Sequence, residues 1–367
     1  MVPRGVMIYG ATGYTGRLIA AHAANSRCSP VVAGRTADRV QALAADLGIP
    51  GRTVALDETK QFDQALEDID VLVNAASPFA QTARPLIEAC LRTRTHYLDV
   101  TGELPVFQDA FRYDEPARKR GVMIMPGAGL GIVASDCLAA HVAASIPKPK
   151  YLRIGLLRPA MFSRGTFRSA LGLSNSQVTI RRNGNLVSLP AARLQRAFDY
   201  GEGMRESVAV SWPDVFTAYF STGIRNIETY LAADFASRAF YQFGSVMADT
   251  LRLAPVQRLL DVATRAWPEG PSAEQRQSDK CVIVAEAEDS WRRRVSARLE
   301  TPDGYSFTAE ATTAIARHIL RGSFIPGFHT PAQVYGADFV LTLKGTRREQ
   351  LSATFPDHGF DEMVRPD

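Results

Sequence analysis

Val6-Met7-Ile8-Tyr9-Gly10-Ala11-Thr12-Gly13-Tyr14-Thr15-Gly16, near the start of the 367-residue chain, decides how the rest is read. Four apolar residues make a short buried strand, and a helical pattern over residues 14–24 follows it. Between the two, the glycines fall at the spacing G-x-x-G-x-x-G. Lacking Cβ atoms, they let the backbone turn tightly and approach a pyrophosphate. The opening turn of the helix then offers unpaired N–H groups and a positive dipole. Thr12 and Thr15 add hydroxyl donors. Gly10, Thr12, Gly13, Tyr14, Thr15 and Gly16 are therefore candidate dinucleotide contacts.

Outward from this loop the alternation continues. Short apolar runs at residues 31–33, 53–56, 71–73, 97–98 and 122–125 are separated by helical patterns over residues 37–47, around Phe62 and Leu66, and over 82–91. This predicts an α/β fold, a doubly wound parallel sheet with ligands at the carboxyl ends of its strands. The second strand ends in Gly34-Arg35-Thr36, where an NAD-binding chain would carry a carboxylate for the ribose hydroxyls. Arg35, with Thr36 beside it and Arg39 one helical turn on, suits a 2′-phosphate and points to NADPH. Asp57 ends the third strand, either to meet the adenine amino group or to cap the next helix. Ala75, Ala76 and Ser77 end the fourth, small enough to let a cofactor cross the sheet.

The pattern changes at Pro126-Gly127-Ala128-Gly129. A helix over residues 135–144 is followed by longer, alternating strands. Residues 178–182 and 186–189 flank Asn183-Gly184-Asn185, a hairpin signal. Residues 281–286, 293–299 and 305–308 read as a meander, with a turn at Pro302-Asp303-Gly304. Helical material is expected over residues 235–266, then a helix over 309–320 and a final one from Pro331. The expected division is residues 1–130, an inserted α+β domain built on a mainly antiparallel sheet over 131–322, and a returning segment over 323–367.

Composition limits the partners. Lys and Arg total 42 against 38 Asp and Glu, a net charge of +4, and the runs Arg118-Lys119-Arg120 and Arg292-Arg293-Arg294 lack interleaved aromatics. Nucleic acid is not expected. Cys28, Cys90, Cys137 and Cys281 are too far apart in sequence for a paired zinc or redox motif, and no histidines stand at metal-ligand spacing. No metal is expected, and the cysteines read as buried thiols in a reducing cytoplasm. No run reaches the ~18 apolar residues that span a bilayer. The nearest, residues 231–251, is broken by Asp234, Arg238 and Asp249. The amphipathic stretch over residues 235–260 leaves peripheral membrane contact open, and a homodimer is possible.

Five segments carry a family resemblance: Gly10-Ala11-Thr12-Gly13-Tyr14-Thr15-Gly16-Arg17, His96-Tyr97-Leu98-Asp99-Val100-Thr101-Gly102-Glu103, Thr222-Gly223-Ile224-Arg225-Asn226, Gly270-Pro271-Ser272 and Gly327-Phe328-His329-Thr330-Pro331-Ala332. The chain resembles the saccharopine dehydrogenase-like reductases, and within them the trans-acting enoyl reductases. The resemblance implies an N-terminal NADP-binding Rossmann domain, an inserted α/β domain and a C-terminal return to the first. It also implies hydride transfer to an imine or to the C=C bond of a carrier-bound acyl chain. Ser77-Pro78-Phe79 and Ala128-Gly129-Leu130 depart from the family pattern close to the expected nicotinamide.

Such a reduction needs an oriented acceptor and a proton source. Glu103, just after the fifth strand with Asp99 and Thr101, is a candidate proton relay if burial raises its pKa; alternatively Thr101 and Glu103 cap the helix that begins near Leu104. Arg164, in Ser163-Arg164-Gly165-Thr166, would hold a carboxylate or polarise a thioester carbonyl. Tyr230 is a further candidate proton donor. The reading is an NADPH-dependent reductase of an activated C=C bond on a small, acyl-linked or lipophilic substrate. The alternatives are an imine reductase and a non-catalytic NADP-binding or lipid-associated protein.

Overall fold

The computed structural model describes residues 5–26, 28–157, 177–190, 193–233 and 269–354. Arg164 and the expected helices over 235–266 lie outside the described residues. The first half runs β1 (Gly5–Tyr9), α1 (Tyr14–Ala24), β2 (Pro30–Gly34), α2 (Ala37–Leu47), β3 (Gly51–Thr53), α3 (Thr59–Ala65), β4 (Ile69–Asn74), α4 (Phe79–Thr93), β5 (His96–Asp99), α5 (Leu104–Phe111), α6 (Asp114–Arg120) and β6 (Met123–Met125). These strands pair in parallel, in the order β6-β5-β4-β1-β2-β3. Their apolar runs are buried because helices cover both faces. The order reverses between β1 and β4. There the Ala75 N–H donates to the Tyr9 carbonyl at 2.8 Å, at the carboxyl edge where such sheets bind ligands.

The next elements are α7 (Leu130–Ala144), β7 (Tyr151–Leu157), β8 (Gln177–Arg182), β9 (Asn185–Pro190), β10 (Gln195–Asp199), β11 (Met204–Ala209), α8 (Asp214–Thr222), β12 (Asn226–Ala232), α9 (Ala273–Ser278), β13 (Lys280–Glu288) and β14 (Arg294–Pro302). α10 (Gly304–Leu320), β15 (Gly327–Phe328), α11 (Pro331–Tyr335) and β16 (Arg347–Thr354) close the described chain. The second sheet has the order β10-β11-β12-β7-β13-β14-β16, antiparallel except where β12 meets β7. The expected hairpin forms, with Asn183 and Gly184 both at positive φ (51° and 89°). α7 is apolar on nearly every side and is buried nearly all round. Its Val133, Cys137 and Leu138 join one core with Ile154, Ile283 and Ala285 of the second sheet and Val71 and Leu98 of the first.

Three local expectations are corrected. Residues 305–308 are not a strand but the first turns of α10, because Asp303 caps that helix by accepting from the Tyr305 and Ser306 N–H groups at 2.9 and 3.1 Å. The third strand ends at Thr53, so residues 54–56 lie beyond it. The helix from Pro331 lasts only to Tyr335, and the chain then returns to the second sheet as β16. β15 extends the first sheet beside β6, and α10 packs on α1. The segment after residue 322 therefore contributes to both sheets. Among the described residues no helix is long and apolar enough to cross a membrane, and all four cysteines are buried and outside any disulfide.

Candidate active site

Each glycine of the loop has a different job. Gly10 takes φ +79°, and a Cβ there would lie 2.6 Å from the Ala76 nitrogen, across the crevice. A Cβ at Gly16 would run into the Gly10 carbonyl and stand 2.8 Å from the Ala11 Cα, so this glycine lets α1 sit tightly on the loop. At Gly13 nothing of the protein comes closer than 3.4 Å. Gly13 is also the N-cap of α1, and no N-cap side chain takes up the first N–H groups of the helix. That combination fits a pyrophosphate: bare backbone donors at a helix N-terminus with no side chain in the way.

Arg35 and Thr36 are exposed at the carboxyl end of β2. Arg39 is held at the loop by donating to the Thr12 carbonyl at 3.3 Å. Burial pushes the Tyr9 phenol up; the Arg35 charge opposes the shift and the Asp57 charge adds to it, which puts both residues around the end of β1. Asp57 is exposed, and the N-cap of α3 is Glu58, without a side-chain hydrogen bond. Ala75, Ala76 and Ser77 line the crossing from β4 to α4.

Tyr14 is engaged by residues 270–276 and by Tyr305. Its hydroxyl donates to the Pro271 carbonyl and accepts from Arg276 Nη1 at 2.7 Å, and its ring meets Tyr305 edge-on at 5.0 Å. Gly270 packs flat on the ring, where a Cβ would lie 2.5 Å from it. Two of the resembling segments, the glycine loop and Gly270-Pro271-Ser272, therefore touch. Ser272 opens α9 with a capping box to Gln275.

The carboxyl ends of β4 and β5 carry a closed polar chain. The Asn74 amide donates to Thr82 Oγ1 and Tyr97 Oη, both at 3.1 Å, and its oxygen accepts from the Ala76 N–H at 2.9 Å. Tyr97 donates to Asp99 Oδ2 at 2.9 Å, while Asp99 Oδ1 accepts from the N–H groups of Thr101 (3.0 Å) and Gly127 (2.8 Å). Burial raises the Asp99 carboxyl to about 6, against the pull of these donors. Glu103 is the N-cap of α5, but its side chain does not cap it. The carboxylate reaches across to the Ala80 N–H at 3.3 Å, and the Glu103 N–H donates to Thr101 Oγ1 at 3.1 Å. Trp212 closes this edge from the second domain. Its indole donates to the Gly131 carbonyl at 2.9 Å, and its ring lies 4.0 Å from where a Gly102 Cβ would be.

Tyr230 is elsewhere. On β12 it is 3% exposed among Phe198, Tyr200 and Val284, and its hydroxyl donates to Glu228 at 2.6 Å. Burial pushes its pKa well up. Sequence reading also missed a pair of buried carboxyls behind Trp212. Asp136 accepts from Ser221 and from the Ala332 N–H at 2.8 Å, and burial raises it to about 6. Asp214 is raised to about 8 by burial, with the Asp136 charge adding to the shift and the neighbouring Ser135 hydroxyl opposing it. Spacing alone carried no signal for either, since they join only when α7 and α8 pack. Among the described residues no cluster of His, Cys, Asp or Glu is arranged to hold a metal.

A crevice at the order reversal of a parallel sheet, with bare helix N–H groups and an arginine at the end of β2, defines a Rossmann-type dinucleotide-binding protein. Residues 6–125 match the saccharopine dehydrogenase NADP binding domain family. The trans-acting enoyl reductase of Mycobacterium leprae is 30% identical over 139 residues, which is 36% of this chain and 33% of the relative. The saccharopine dehydrogenase-like oxidoreductase of Bos taurus is 26% identical over 155 residues, 36% of each chain. The matched part thus spans about a third of these curated relatives. Across 95% of this chain the fold follows saccharopine dehydrogenase (L-Glu forming) from Saccharomyces cerevisiae, with a TM-score of 0.63 at 13% identity and all of that chain covered. The first third of the chain thus matches the NADP-binding domain of the saccharopine dehydrogenase family.

Proposed function

We propose that this protein is an NADPH-dependent reductase of an activated C=C bond, of enoyl or enone type, on an acyl-linked or lipophilic substrate. The observation that carries the reductase reading is the crevice. Its glycine loop can hold a pyrophosphate, Arg35 stands where a 2′-phosphate would lie, and a closed polar edge follows at β4 and β5. The choice of C=C rests on the relatives named trans-acting enoyl reductase. When bound, NADPH supplies a hydride to the electron-poor carbon.

The chain's own residues do the rest. Gly10, Thr12, Gly13, Thr15 and Gly16 receive the phosphates, Tyr14 anchors the loop to Pro271 and Arg276, and Arg35, Thr36 and Arg39 select the 2′-phosphate. Asp57 meets the adenine end, and Ala75, Ala76 and Ser77 leave room for the crossing. The Asn74–Tyr97–Asp99 chain fixes the carboxyl edge so that no polar atom there is left to compete with the substrate. Trp212 excludes water over Gly102 and Gly131. Glu103, held at the rim, passes a proton towards the reduced acceptor. Tyr230 serves the second sheet instead of the reaction, and a role for Arg164 on a carboxylate or thioester stays part of the proposal. The division at residues 130 and 322 is kept for the cofactor and substrate units, with the tail now serving both.

A C=N acceptor is the second reading, favoured by the whole-chain fold match to saccharopine dehydrogenase. Oxidation of NADPH with enones, enoyl thioesters and cyclic imines separates the two. Turnover of enones or enoyl thioesters is expected; turnover of imines alone reverses the order. Binding of NADPH with no acceptor turned over would make this a non-catalytic NADP-binding protein.

A further inference from the structure

At the far end of α1 from the glycine loop, α1 and α10 enclose a recess of about 180 Å³ together with Thr342 and Leu343. Its charged and titratable lining is His22, Glu310, Arg317, His318 and Arg321. Gly13 and His22 are nine positions apart, about 13 Å along the helix axis at ~1.5 Å per residue, so the recess is separate from the pyrophosphate cradle. Arg317 and Arg321 stand one turn apart on one face of α10 and are exposed. Among the described residues neither guanidinium has an ion-pair partner. Both line the recess, and both charges lower the buried Cys28 thiol against the effect of burial.

Like charges at this spacing repel, and the carboxyl end of a helix offsets only part of that. Two imidazoles add to the set. His22 Nδ1 is buried without a hydrogen-bond partner. Burial lowers the His22 pKa, and Lys344 and Arg317 lower it further while Glu310 opposes them. His318 is likewise lowered by burial, by Arg321 and by Arg317. Glu310 lies two turns before Arg317, about 10 Å along the axis, and its carboxylate accepts from the Lys344 N–H at 2.8 Å. Among the described residues the recess therefore carries two arginines outside any ion pair and one carboxylate already engaged by a backbone N–H.

We propose that this recess binds a phosphoryl-type dianion, gripped by Arg317 and Arg321. Paired guanidiniums match phosphate oxygens in geometry and charge, and the small volume selects a phosphate monoester or free phosphate over a nucleotide. The inference does not depend on the reductase reading.

The test uses the full chain saturated with NADPH, so that the glycine loop is filled. Inorganic phosphate is titrated by calorimetry into wild type and into the Arg317→Gln/Arg321→Gln double variant. The substituted side chains are exposed, and matching thermal unfolding curves would show that the fold is kept. Saturable phosphate binding that weakens at least about ten-fold in the variant, the size of one charge-assisted contact, supports a soluble ligand. Flotation with vesicles of phosphatidylcholine and phosphatidic acid, lost in the variant and without binding of free phosphate, assigns the phosphoryl group to a lipid. Equal binding by wild type and variant, or no binding in either assay, overturns the proposal.

Discussion

The two sheets handle polar groups in opposite ways. In the first, the strands themselves are apolar, and the polar atoms gather at the carboxyl edge in neutral or single-charge hydrogen bonds: Asn74 to Tyr97, Tyr97 to Asp99, Asp99 to the Gly127 N–H. In the second, one face packs on α7 while the other carries ion pairs from strand to strand. Arg153 meets Glu288 at 3.1 Å, Arg196 meets Glu286, and Arg298 meets Glu349 at 2.7 Å. Tyr230 belongs to that set through Glu228, which also faces Arg153 at 3.8 Å. Charges paired across strands hold a sheet together. The hydrogen-bonded strand ends of the first sheet instead border the crevice beside the N-terminus of α1. That difference is the ground on which the chemistry is proposed for the first edge and the second sheet's titratable groups are assigned to structure.

The sharpest way to break this contrast is at the glycines. Gly13→Ala should leave thermal stability nearly unchanged, since a Cβ has room there, yet weaken NADPH about a hundred-fold or more by blocking the backbone's approach to the phosphates. Gly16→Ala should instead destabilise the fold by roughly 1–3 kcal/mol through overpacking. Cofactor fluorescence titration beside thermal melts separates the two. If Gly13→Ala binds NADPH normally, the cradle is not where the cofactor sits.

Next in size is Arg35→Ala. A charge-assisted contact to phosphate is worth about 1.5–3 kcal/mol, so NADPH should bind roughly ten- to hundred-fold more weakly while NADH barely changes. The loss should fall on KM rather than kcat, because the 2′-phosphate is remote from hydride transfer. Arg39→Ala should show the same trend more weakly. Wild-type protein that binds NADH as tightly as NADPH would sink the assignment.

The buried acids predict a pH dependence. Asp214 has a folded pKa of about 8, raised above its ordinary value of 3.8. The folded state therefore holds a proton that the unfolded chain has released, and stability falls as pH rises between those values. One proton gives a slope of at most about 1.4 kcal/mol per pH unit. Chemical denaturation at pH 5, 6, 7 and 8 should show this decline, and Asp214→Asn should flatten it. A variant with an undiminished slope would mean that another group carries it.

The smallest expected effect is at Tyr230→Phe. Removing a hydroxyl that donates to Glu228 should cost about 1 kcal/mol of stability and leave kcat within about two-fold, the effect of a residue that does not touch the reacting atoms. A large fall in kcat with an unchanged melting temperature would return Tyr230 to the site.

The sequence by itself determined the parallel sheet, its order of strands and helices, the glycine loop, and the arginine on which the proposed preference for a 2′-phosphate rests. These are local signals: a run of apolar residues, three glycines at fixed spacing, and an arginine where a carboxylate would otherwise stand. The Asn183-Gly184 hairpin was legible for the same reason, since its two positive φ angles are a demand on those residues alone. Tertiary structure decided the rest. Which face of β12 carries Tyr230 depends on register, and a period of two turns neighbours to opposite sides. The strand reading of residues 305–308 lost to a cap on Asp303. The return of residues 347–354 to the second sheet, the clasp of Gly270 on Tyr14 and the meeting of Asp136 with Asp214 join residues that are dozens to hundreds of positions apart. Such contacts exist only once the apolar faces of α7 and α10 have been buried, and no local pattern records which partners that burial brings together.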